Sequence, residues 1–89
     1  MIIGSGFGKK NQLVLNEIGR LSKEDVEYEL SVQDVNYGLG YDRTELKNIL
    51  EYLQYLGYIK IITIGGPLLY GHITITLKGI EQYKKGRYG

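Results

Sequence analysis

Residues equipped for chemistry are sparse in this chain. It has one histidine, His72, and no cysteine. Cysteine-ligated zinc is therefore excluded, and His72 has no neighbouring acid in sequence to make it a base. We read His72 as a turn residue rather than a metal ligand. The opening stretch Gly4-Ser-Gly-Phe-Gly-Lys-Lys10 looks like a phosphate loop, but that motif needs a glycine five positions before the one that precedes its lysine. For Lys9 that position is Ile3, and no serine or threonine follows the lysines. Glu24, Asp25, Glu27 and Glu29 form an acidic run that lacks the glycine and the ligand spacing of a calcium loop, and they read as a solvated face. Nothing supplies a nucleophile, a base and an orienting group together. The expectation is a protein that is not an enzyme, with no cofactor and no metal.

What remains is electrostatic and apolar patterning. The net charge is +1, but it is unevenly spread. Lys9 and Lys10 make residues 1–16 basic, nine acids against four bases make residues 17–51 acidic, and five bases against Glu81 make residues 52–89 basic again. A duplex-binding protein ordinarily presents a basic face, and here the bases gather at the two ends of the sequence. At 89 residues the chain supports one domain, burying somewhat over ~60% of its unfolded surface. No apolar run approaches the ~20 residues of a membrane span. The opening Met-Ile-Ile is too short for the apolar region of a signal peptide, so the expected location is cytoplasmic. Nine tyrosines stand beside no alanine and no tryptophan; tyrosine can cover a small core while its hydroxyl stays wet.

The elements follow from periodicity. Residues 1–10 are glycine-rich and aperiodic and read as a flexible arm, leaving residues 11–89 as the folded domain. From Asn11, a candidate N-cap, Val14, Ile18 and Leu21 recur at helical spacing, with Leu15 widening the stripe. Gly19 inside that helix should loosen its last turn. Val26, Tyr28 and Leu30 alternate with Glu27 and Glu29, which predicts an edge strand; a helix starting at Ser22 is the alternative. Ser31 opens a second helix with a cap-like Ser-x-x-Asp start, and Gly38 or Gly40 ends it. Asp42-Arg-Thr-Glu45 is a second capping box, opening a third helix whose apolar face is Leu46, Ile49, Leu50, Leu53 and Leu56. Gly57 closes it. Residues 58–64 and 72–77 read as two paired strands around Gly65-Gly-Pro67, and a short helix over 80–85 follows.

Two stretches carry a resemblance. Leu30 to Ile59 holds two capped helices joined by the tight turn Leu39-Gly-Tyr41, the second ending in Leu-Gly-Tyr-Ile. Ile75 to Lys85 then shows a hydrophobic residue, threonine, two further residues and glycine leading into a helix. Together, over roughly residues 11 to 85, the chain resembles the winged helix-turn-helix domains of transcription regulators. The resemblance implies an α+β fold: a three-helix core with a small antiparallel sheet, or wing, and a short C-terminal helix. It also implies that the helix over 43–56 lies in the major groove of double-stranded DNA. The positions off its leucine stripe, Arg43, Thr44, Lys47, Asn48 and Glu51, are then the groove-facing set. Arginine and lysine suit guanine, asparagine suits adenine, and Thr44 with the first amides of the helix suits a phosphate.

The wing departs from the family's pattern. Its tip, residues 65–72, has no basic residue where a DNA-binding wing has arginine or lysine, and carries Leu68, Leu69 and Tyr70, which read as an apolar contact surface or as a flap folded onto the domain's own core. Residues 31–51 hold Arg43 and Lys47 against Asp34, Asp42, Glu45 and Glu51. Two functions are therefore expected: a DNA-binding regulator acting as a homodimer, or a winged helix that docks a protein partner through residues 65–72.

Overall fold

In the computed structural model residues 8–63 and 71–88 are described, and the expected contact surface Leu68, Leu69 and Tyr70 lies outside them. The fold is α+β. Its elements are α1 (Lys9–Ser22), β1 (Leu30–Ser31), α2 (Val32–Leu39), α3 (Arg43–Tyr55), β2 (Ile59–Thr63), β3 (His72–Ile75) and α4 (Leu77–Tyr88). The strands form one antiparallel sheet in the order β1-β3-β2. Leu30 pairs with Ile73 across β1–β3. Ile59 pairs with Ile75 and Ile61 with Ile73 across β2–β3, and the register slips between Ile61 and Thr63. The period of two then turns Ile59, Ile61, Ile73 and Ile75 to one face, where they join the core.

That core is where the helical stripes meet. Val14, Leu15 and Ile18 of α1, Val35 of α2 and Leu46, Ile49, Leu50 and Leu53 of α3 are buried with the sheet residues. Full burial of one such side chain stabilises by ~1.5–3 kcal/mol. Leu30, Val35, Leu46, Leu50, Leu53, Ile59 and Ile75, the positions that periodicity assigns to the core, all lie in it.

The structure corrects several local expectations. The first helix begins at Lys9, not Asn11, and its N-cap, Gly8, contributes no side-chain bond. Gly19 does not loosen the helix: it is buried, and the Tyr83 ring of α4 lies where a Cβ would be, only 2.5 Å from that position. Residues 23–29 form neither an edge strand nor a helix. Lys23 and Glu24 both adopt positive φ, at 56° and 62°, which turns the chain sharply at α1's end. The Ser22 hydroxyl, buried, donates to the Gly19 carbonyl and accepts from the Glu24 N–H. Asp25 then forms a side-chain turn, its Oδ1 accepting from the Glu27 N–H at 2.9 Å. Val26 and Tyr28 end up exposed, so only Leu30 and Ser31 reach the sheet. His72 lies in β3 opposite Ser31, not in a turn.

The last helix is longer than expected, starting at Leu77 rather than residue 80. Thr76 explains its start. Its hydroxyl accepts from the Gly79 N–H at 3.0 Å, as an N-cap does, while donating to the Gly57 carbonyl at 2.6 Å. One side chain thus joins the start of α4 to the end of α3. Gly79 is required there because a Cβ would sit 2.0 Å from the Tyr58 carbonyl oxygen.

Candidate nucleic-acid interface

The α2–α3 turn sets the exposure of α3. Gly40 ends α2 with φ 69°, a left-handed conformation that glycine adopts without a Cβ penalty. The Asn36 side chain then clamps Tyr41 twice, donating to its carbonyl at 2.8 Å and accepting from its N–H at 3.0 Å. This hands the chain to Asp42, whose Oδ1 accepts from the Glu45 N–H at 3.1 Å and caps α3. At the far end Gly57, with φ 85°, closes α3 as the Gly57 and Tyr58 N–H groups return to the Gln54 and Leu53 carbonyls. Gln54 also ties α3 to the sheet, its Oε1 accepting from the Ile61 N–H at 2.8 Å.

With Leu46, Ile49, Leu50 and Leu53 turned inward, the opposite face of α3 is left to solvent. Arg43, Thr44, Lys47, Asn48 and Glu51 are all exposed along it. Among the described residues, neither Arg43 nor Lys47 has an acidic partner. Three other cations are paired, Lys10 with Glu45, Arg20 with Glu17 at 2.5 Å and Lys84 with Glu24 at 3.4 Å, while Lys9, Lys23, Lys60, Lys78 and Lys85, like Arg43 and Lys47, have no ion pair among the described residues. Thr44 and Asn48 also border a cleft of about 520 Å³ between α1 and α3, with Lys10, Asn11, Asp42, Glu45 and Ile49.

Sequence reasoning did not find the contact between Lys10 and Glu45, which lie 35 residues apart. Lys10 also sits over the Tyr41 ring, 5.7 Å from its centroid. The hydrogen bond and charge of Glu45 raise the Lys10 pKa above the ordinary lysine value. The Lys10 contribution to the pair is therefore fully present below the ordinary lysine value and is lost as pH rises through the raised value. No periodicity within one element signals such a pair, because the crossing of α1 over α3 creates it. The same is true of the chain ends. Tyr83 lies against Gly19 and Gly86 against Gln12, so α4 packs across α1, and Gln82 donates to Gln12 at 3.0 Å. Gly86 is thereby brought beside the first turn of α1, which itself meets the first turn of α3 through Lys10.

Comparisons with protein-family models, curated proteins and solved structures return no match to this chain. The chemistry of the site is thus carried by its own geometry. An exposed helix face offers two unpaired cations, an amide, a hydroxyl and one carboxylate, which is a hydrogen-bonding surface rather than a reaction centre. Among the described residues no group of three or more histidines or acids is placed to hold a metal ion, and no helix is long and apolar enough to cross a membrane.

Proposed function

We propose that this chain is a winged helix-turn-helix domain that binds double-stranded DNA as a cytoplasmic transcription regulator, with α3 in the major groove. The observation that carries the reading is the outward face of α3, where Arg43 and Lys47 stand exposed without acidic partners. A helix offered to a duplex needs such uncompensated cations, because phosphate neutralisation supplies much of the affinity. The element order, in which α3 is followed by the antiparallel strands β2 and β3, supports it. Arg43 and Lys47 are the guanine-reading candidates, Asn48 the adenine-reading one, and Glu51 can accept from cytosine. Thr44, two residues after the Asp42 cap, serves the backbone. A lone domain reads few base pairs, so the functional unit proposed is a homodimer.

The test is duplex binding across a salt series. Affinity should fall steeply as salt rises, the logarithm of the binding constant dropping by ~0.9 per phosphate neutralised for each tenfold rise in salt. Binding indifferent to salt would contradict the reading.

A second reading is a docking domain that uses residues 65–72 on a protein partner. It is favoured by the acidity around α3, where Asp34, Asp42, Glu45 and Glu51 outnumber Arg43 and Lys47.

A further inference from the structure

We propose that Lys10 is a phosphate-contacting residue of the α3 surface that Glu45 holds in reserve, so that this ion pair sets the affinity for duplex DNA. The proposal rests on the DNA-binding reading above. Lys10 stands in the first turn of α1, yet its ammonium lies at the first turn of α3, bonded to the Glu45 carboxylate. Both side chains remain accessible, at 62% and 33% of full exposure. A duplex that receives the N-terminal half of α3 in its major groove brings a phosphate strand past that turn. The strand there meets a neutral pair beside Thr44 and Asn48, not a free cation. To engage a phosphate, Lys10 must release Glu45 and leave a carboxylate next to the DNA.

Tyr41 gives Lys10 a second seat that does not depend on Glu45. The ring lies 5.7 Å from the ammonium, within the reach of a cation–π contact. Its backbone is fixed by two hydrogen bonds with the Asn36 side chain. Removing the Glu45 charge therefore releases Lys10 beside Tyr41, with Asp42 the acid that remains in the same cleft. The substitution also spares the α3 cap, because Asp42 bonds the backbone N–H of residue 45 and not its side chain. The Arg20–Glu17 pair lies within α1, and the Lys84–Glu24 pair lies beyond its C-terminal end.

The experiment measures binding of a short mixed-sequence DNA duplex to the full chain over a salt series, for wild type, Glu45→Gln and the double variant Lys10→Gln/Glu45→Gln. Melting curves confirm that each is folded, and Glu45→Thr carries the same expectation should Glu45→Gln fail to fold. Glu45→Gln should steepen the salt dependence by about 0.9 in logarithmic slope, which is roughly eightfold tighter binding at one-tenth of the salt where the two proteins converge. The double variant should return to the wild-type slope. An unchanged slope for Glu45→Gln would overturn the proposal. So would a double variant that keeps the gain, since the gain would then come from removing Glu45 alone. If the wild-type chain shows no salt-dependent duplex binding, the DNA reading itself falls, and this proposal with it.

Discussion

At Gly79 the usual effect of replacing a helical glycine by alanine should be reversed. Within a helix that change ordinarily stabilises by up to ~1 kcal/mol. Here the new methyl would meet the Tyr58 carbonyl oxygen 2.0 Å away, so backbone must move, and overpacking of this kind costs ~1–3 kcal/mol. Gly79→Ala should therefore lower the melting temperature, and a rise would mean that α4 does not press on the α3–β2 junction as described. Leu50 makes the opposite kind of test. Its side chain is 1% exposed, and Leu50→Ala should cost ~2–5 kcal/mol in denaturant unfolding. An unchanged unfolding curve would remove Leu50 from the core and shift the register of α3.

Among the elements, the start of α3 rests on one side-chain cap that can be tested singly. Asp42→Ala removes the side-chain cap on the Glu45 N–H and should destabilise by ~1 kcal/mol, read in the same unfolding measurement. This cap was legible in the sequence, as were the α3 stripe and the Gly40 and Gly57 stops, because each is a local signal within a few residues. The segment 23–29 was not. Its alternation of Val26, Tyr28 and Leu30 with glutamates imitates a strand, but two successive non-glycine residues at positive φ turn the chain first. Residues other than glycine seldom adopt that conformation, so composition gave no warning. The start of α4 was hidden for a different reason: Thr76 caps it while bonding the Gly57 carbonyl, and that partner lies 19 residues away.

At the scale of the whole molecule, the charge pattern changes meaning once the chain is folded. Lys10 of the basic N-terminal stretch reaches the acidic start of α3, and Lys84 of the basic C-terminal stretch reaches Glu24 beyond the other end of α1. The exposure of Arg43, Thr44, Lys47, Asn48 and Glu51 followed from periodicity alone, whereas the pairing of Lys10 with Glu45 needed the helix crossing. Residues 65–72 carry a separate expectation. Replacing Leu68 and Leu69 with serine should dissociate a dimer while leaving a stable monomer if they serve assembly, as sedimentation would show. A lower melting temperature at every concentration would assign them to self-packing, and an unchanged protein would remove the main support of the docking alternative. The central claim, that the outward face of α3 is a DNA-binding surface, is tested most directly by titrating a DNA duplex into isotope-labelled protein and following the backbone amide resonances. The account predicts that the perturbed amides cluster on residues 43–51 and the first turn of α1; perturbation that leaves α3 silent, or no perturbation at any duplex concentration, would contradict it.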